Sequence, residues 1–266
     1  MADFQNTIDL LGDEAVTKAL VERTITEFND DVITTVGKYA FYKCTDLTRV
    51  NMPNLTSVNE SSFEGCSSLV SAELPLLKSM DRKCFYGCSS LESASFPLME
   101  GVLSTSAFEN CSNLKTASFP LARYIAQGTF KDCSSLTSVV ATVASMVQNF
   151  SFRDCKALTR VSFPAAKSLS QAVFMGCDAL KTVALGSGTI CTLADSTVFT
   201  STLFDRYKSG GTLLVPRSLV ESYKTATNWS ALFANNANNR VLALEDYTID
   251  GTITGEIDWN KLNGGN

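Results

Sequence analysis

Apolar and polar positions along this chain follow a unit that returns about every 22 residues. Its anchors are Phe41, Phe63, Phe85, Phe108, Phe130, Phe152 and Phe174, spaced 22, 22, 23, 22, 22 and 22 residues apart. Three residues after each stands Cys44, Cys66, Cys88, Cys111, Cys133, Cys155 or Cys177, and three further on Leu47, Leu69, Leu91, Leu114, Leu136, Leu158 or Leu180. Nine residues after each Phe comes Val or Ala (Val50, Ala72, Ala94, Ala117, Val139, Val161, Val183), and eleven after it a residue that is bulky in six copies (Met52, Leu74, Phe96, Phe119, Phe163, Leu185) and Ala141 in the fifth. Apolar residues two apart with polar ones between predict a short half-buried strand. Pro53, Pro75, Pro97, Pro120 and Pro164 end it, because proline cannot donate to a ladder.

The rest of the unit is less regular. Val36, Val58, Met80, Leu103, Ile125, Val147 and Leu169 stand five residues before each Phe, and the segment from there to the Phe predicts one helical turn. Two residues after the Phe come Gly65, Gly87, Gly176, Asn110, Asp132 and Asp154, with Lys43 the exception. Gly, Asn and Asp tolerate positive φ, so this slot predicts a left-handed cap. Self-similarity at this period marks a stack in which each coil buries its apolar face against the next. The fold class expected is an α/β repeat solenoid with parallel strands on one face and short helical turns on the other.

A stack needs ends. Residues 13–23 carry helical spacing with an acidic start, followed by the strand-like Thr24-Ile25-Thr26-Glu27-Phe28. Leu213-Leu214-Val215-Pro216 predicts a strand, Arg217 to Ala226 a helix, and Val241 to Leu244 a last strand, with Trp229 and Phe233 as plugs. Tyr247-Thr248-Ile249 and Thr252-Ile253-Thr254 around Asp250-Gly251 predict a hairpin docking on its own chain. The organisation expected is an N-terminal cap over 1–32, seven repeats over 33–187, a C-terminal cap over 188–246, and a hairpin with a flexible tail over 247–266.

Phe63-Glu64-Gly65-Cys66-Ser67-Ser68-Leu69, with its strand ending in Pro, resembles the BspA-like leucine-rich repeats, and the resemblance runs over about residues 33–187. It implies a right-handed, curved solenoid used mainly for adhesion and binding, often by bacteria at host surfaces. The fifth copy departs from the pattern, since Ala141-Thr142-Val143 lacks both the bulky residue and the proline, and a looser or bent strand is expected there. Val215-Pro216-Arg217-Ser218-Leu219-Val220-Glu221-Ser222-Tyr223-Lys224 is similar to the C-terminal units of such proteins. The 247–255 segment is similar to phage-encoded members.

Composition and charge mostly exclude. A formal charge of −5 speaks against a nucleic-acid partner, and no apolar run reaches the ~20 residues of a membrane span, so no membrane insertion is expected. The start, Met1-Ala2-Asp3-Phe4-Gln5, lacks the pattern of a secretory signal. Nine cysteines suggest a disulfide scaffold until their register is seen. Seven share one slot and Cys84 sits in the small slot before Phe85, so they are expected as buried, reduced fillers; Cys191, outside the register, is expected as the free thiol. With no histidine, the commonest general base is missing, and no cofactor or metal is expected. Asp205 and the Asp30-Asp31 pair are expected as solvated charges.

The candidate binding site is the outward stripe of the strands: Arg49, Asn51, Ser71, Glu73, Ser93, Ser95, Thr116, Ser118, Ser138, Arg160 and Ser162, joined by Val140, Thr182 and Ala184. Small hydroxyls also suit a crowded parallel sheet without any ligand. The function expected is non-enzymatic adhesion or recognition of a protein or glycan surface. The alternatives are a structural or receptor-recognition part of a bacteriophage tail, with homo-oligomer or virion assembly through the C-terminal tail, and an intracellular scaffold. The compartment is left open, with cell surface, extracellular space or virion preferred.

Overall fold

The computed structural model describes residues 22–205, 208–249 and 257–262. Within them the chain winds as a parallel-strand solenoid. The expected strands form where the alternation places them: Arg49–Asn51, Ser71–Glu73, Ser93–Ser95, Thr116–Ser118, Ser138–Val140, Arg160–Ser162 and Thr182–Ala184. Glu27–Asn29 pairs in register before the first of them and Thr212–Val215 after the last, and Arg240–Ala243 closes the edge, all parallel. The helix expected over 13–23 lies almost wholly outside the described residues.

One part of the coil differs from expectation. The residues leading to each Phe form no helical turn. The first residue of that segment instead ends a strand of a second set of short parallel strands, Thr35–Val36, Ser57–Val58, Ser79–Met80, Gly101–Leu103, Ala122–Ile125, Met146–Val147, Ser168–Leu169 and Thr192–Leu193. Tight i→i−3 turns follow, such as Ala40 N–H to Gly37 O and Cys44 N–H to Phe41 O. The physical reason is stacking. Each Phe N–H donates to the next coil, Phe41 to Ser62 O and Phe63 to Cys84 O, both at 2.8 Å, so these amides are satisfied between coils and not along a helix. The turns need positive φ twice per coil. All seven residues two after the Phe have it, Lys43 included (φ 55), and so do those two before it, from Tyr39 (φ 59) to Ala172 (φ 51).

The core is a column of rings. Phe41, Phe63, Phe85, Phe108, Phe130, Phe152 and Phe174 stack face to face with centroids 4.9–5.7 Å apart. Phe28 closes one end edge-on at 5.0 Å. Phe199 continues the column at the other and meets Trp229, which meets Tyr223. An eighth, longer coil therefore follows the seven that share the Cys register, with Thr202 buried three residues after Phe199, in the slot where they carry Cys.

The cysteines are buried and unpaired, and they donate as well as fill. The Sγ of Cys66, Cys88, Cys111, Cys133, Cys155 and Cys177 donates to the carbonyl oxygen of Phe41, Phe63, Phe85, Phe108, Phe130 and Phe152 in the preceding coil, at 2.9–3.1 Å. The same carbonyls accept an N–H within their own coil, so both lone pairs are used. Cys84 donates to Asp81 O in the way Ser62 and Ser151 donate to Asn59 O and Gln148 O, in a slot that elsewhere also takes Ala40, Ala107 and Val173. Cys191, expected to be accessible, is buried instead. Its N–H takes Tyr223 Oη at 2.8 Å and its carbonyl takes Trp229 Nε1 at 2.7 Å, which locks the C-terminal cap onto the stack.

At the C-terminal end, Arg217–Leu219 and Val220–Thr225 give the expected helix, and a further helix, Trp229–Asn235, was not anticipated. The Asp250-Gly251 turn lies outside the described residues. The expected partner strand Thr252-Ile253-Thr254 lies outside them too; Thr248 instead bridges Ile257 antiparallel, and Ile257 packs with Ala184, Leu214 and Leu244.

Burial pushes the Cys44 thiol up to about 11 and Cys191 to about 12, from an ordinary 9.0, and pushes Cys66, Cys84, Cys88, Cys111, Cys133 and Cys155 up as well. An unfolded chain ionises these thiols first. The stability they confer is therefore complete below pH 9 and lost as pH climbs from there through about 11 and 12. Urea unfolding between pH 8 and 11 should show a midpoint that is flat and then falls steeply. A midpoint unchanged at pH 11 contradicts the buried ladder. Gly87 (φ +70) has only Gly65 near a built Cβ, at 3.9 Å, so Gly87→Val should cost about 1–2 kcal/mol from backbone conformation alone. An unchanged melting temperature contradicts the left-handed cap.

Candidate functional site

The outward stripe stands where the alternation puts it. In each strand the middle residue enters the core in six of seven coils and is half-buried in the other, Ala72, while its neighbours point out. Arg49, Glu73, Ser93, Ser95, Thr116, Ser138 and Arg160 are exposed, and Asn51, Ser71, Ser118 and Ser162 half-buried. The register aligns them coil to coil: Arg49 with Ser71, Asn51 with Glu73, Ser93 with Thr116 and Ser138, and Ser95 with Ser118 and the exposed Val140. Thr182 and Ala184 fall outside the site. Both are buried, because Ala184 packs with Leu214, Leu244 and Ile257, and the strand Thr212–Val215 covers its edge. The sequence could not show this, since the cover arrives from 30 to 70 residues away.

The stripe is not one unbroken sheet. No ladder joins Ser71–Glu73 to Ser93–Ser95, nor Ser138–Val140 to Arg160–Ser162. The second break follows the irregular Ala141-Thr142-Val143, yet Ser138–Val140 itself is a regular strand in register with Thr116–Ser118. At the first break a shallow cleft of about 540 Å³ opens beside Asn51, Ser71, Glu73, Ser93, Ser95 and Pro97. Arg49 and Glu73 pair across the start of the stripe, both about half exposed.

The second ladder was missed as a surface. Its outward residues are Thr35, Ser57 and Ser79, then Val102, Tyr124 and Met146, then Ser168 and Thr192. Tyr124 is in register with both Val102 and Met146, and all three are exposed. The signal existed in the sequence: six residues before the Phe, three successive copies replace Thr or Ser with an apolar side chain. It became readable only once this position was known to face out.

Thiols raised by burial are poor nucleophiles, and the chain has no imidazole to activate a serine. Asp195, beside a cavity of about 220 Å³ under the helix Trp229–Asn235, accepts from Thr197 N–H and Oγ1. Asp205, lining the same cavity, accepts from Ser201 N–H, and Asp30 from Val32 and Ile33 N–H. Asp205 and Asp30, expected as solvated charges, shape turns, as does Asp195. Among the described residues no three His, Cys, Asp or Glu side chains gather as a metal site, and no helix is long and apolar enough to cross a membrane.

A family profile described as "BspA type Leucine rich repeat region" matches six copies, over residues 34–145 and 123–205. Among solved structures, a leucine-rich repeat protein from Eubacterium ventriosum aligns at 22% identity over 63% of this chain and 45% of its own, with a TM-score of 0.54. This chain thus spans less than half the length of that protein. The leucine-rich repeat protein of T. pallidum aligns at 20% identity over 79% of this chain and 80% of its own, with a TM-score of 0.41. No curated protein matches.

Because exposed ion pairs contribute little, Arg49→Ala should change stability by at most about 1 kcal/mol. Chemical denaturation checks this, and a larger loss would mean that the stripe is a structural element rather than a free surface.

Proposed function

The chain belongs to the BspA-type leucine-rich repeat family, and from that premise we propose that it is a non-enzymatic binding protein, an adhesion or recognition module that works through its solenoid surface. The observation that carries this reading is the outward stripe from Arg49 to Ser162. Its side chains take no part in the core, and a stacked backbone holds them at fixed spacing. A hydroxyl both donates and accepts, so rows of Ser and Thr suit a ligand with repeated polar groups, a glycan or a polar protein surface. The stripe has none of the Trp and Tyr anchors that concentrate affinity, so each contact is weak and avidity comes from their number.

The test is binding of the labelled full chain to a printed array of glycans and purified surface proteins, beside Ser93→Glu/Ser95→Glu/Thr116→Glu. Saturable binding that the triple variant loses at least tenfold, at unchanged melting temperature, supports the reading. Binding that the variant retains removes the stripe as the site, and no saturable binding by either chain counts against the adhesion reading itself.

A further inference from the structure

A different face of the solenoid points to a second partner. Val102, Tyr124 and Met146 form a continuous row across the second ladder and are 46%, 40% and 37% exposed. A parallel apolar row lies along the edge after the proline slots: Leu76, Leu121 and Val143, 40–42% exposed, with Leu98 half-buried between them. Between the two rows run Lys78, Glu100, Arg123, Ser145 and Lys167. The backbone stacks them, with Glu100 N–H donating to Lys78 O, Ser145 N–H to Arg123 O and Lys167 N–H to Ser145 O. A recess of about 540 Å³ opens where the rows meet, walled by Leu121, Tyr124, Val143, Arg123, Glu100 and Ser145.

Two backbone irregularities fall at this place. The 23-residue coil carries its extra residue beside Gly101 (φ +73), and in the next coil the register shifts between Ala122 and Tyr124, so that Arg123 is the bulged residue. A bulge re-aims the side chain it carries. Cations elsewhere in the described residues are of both kinds, some paired and others, such as the exposed Lys156 and Lys181, without an ion pair. Arg49, Arg82, Lys115, Lys131 and Arg217 each hold a carboxylate. Lys78, Arg123 and Lys167 are exposed and form no ion pair among the described residues. On a chain of net charge −5, this band has three cations to one carboxylate, set between two apolar rows.

We propose that this face docks a polypeptide segment rich in carboxylates and aliphatic side chains. The segment's apolar side chains cover Tyr124 and the two apolar rows, and its carboxylates meet Lys78, Arg123 and Lys167. Charge complementarity selects an acidic partner, and the flanking apolar rows favour a protein over a polyanion, since of their six exposed side chains only Tyr124 offers a base a stacking platform. This partner is distinct from the ligand of the hydroxyl stripe, so the chain would join two binders through its two sheets.

The test is selection of a random peptide library on the immobilised full chain, with counter-selection on Arg123→Glu and on Tyr124→Ser. Both substitutions are at exposed positions, and thermal melts check that the variants fold. The expected result is enrichment of peptides combining Asp or Glu with Leu, Ile, Val or Phe, with binding weakened at least tenfold by either substitution and reduced by added salt. Enriched peptides that are basic or wholly polar, no enrichment over bare support, or equal binding by the variants overturns the proposal. A concentration-dependent dimer that Tyr124→Ser dissolves also overturns it, because the occupant is then a second copy of the chain.

Discussion

Every coil of this protein depends on covering both faces of one phenylalanine ring. A ring buried in a stack contributes its area and about 0.5–1.5 kcal/mol more per well-placed neighbour, and here the neighbour is supplied by the next coil. The column from Phe28 through Phe174 to Trp229 is therefore both core and coupling. The remaining features of the coil follow from holding that ring in place. The Phe N–H bonds forward to the next coil and the Phe carbonyl accepts from the next coil's cysteine. The chain turns through positive φ on each side of the ring to bring these groups into line. Cysteine suits its slot because it fills the volume of a small hydrophobe and still offers a donor; alanine or valine would leave the carbonyl one partner short.

Because stability runs along the axis, the side chains that point away from it are released from packing. That is why the two outward faces can differ so sharply. One carries hydroxyls over most of its length. The other carries hydroxyls at its ends and an apolar, locally basic segment in the middle, where the repeat length slips by one residue and the ladder bulges. In a regular array such departures stand out, because the scaffold itself does not need them.

The residues that touch the ring were legible in the sequence, since stacking demands Phe, Cys and Leu at fixed spacing. The left-handed turn after each Phe was legible too, because Gly, Asn and Asp cluster there. Its counterpart before the Phe was not: Tyr39, Ser61, Lys83, Ser106, Gly128, Phe150 and Ala172 share no chemistry, and the cost of positive φ is met by the inter-coil bonds on either side. The second ladder was overlooked because two-residue strands are too short to show alternation, and the segment from it to the Phe, expected as a helical turn, forms tight turns bonded to the next coil. Cys191 was misplaced because its cover, Tyr223 and Trp229, comes from 32 and 38 residues away. The side chains from Arg49 to Ser162 point outward, as the alternation implied, whereas Thr182 and Ala184 are buried by the same kind of remote cover.

The most direct measurement is urea unfolding of Phe108→Ala, at the middle of the column, followed by hydrogen exchange. If the ring column couples the coils, the substitution costs about 3–5 kcal/mol and weakens protection in the coils of Phe85 and Phe130 as well as its own, so that the two halves of the stack unfold separately. A loss below about 1 kcal/mol, or exchange altered only in the coil of residue 108, contradicts that coupling.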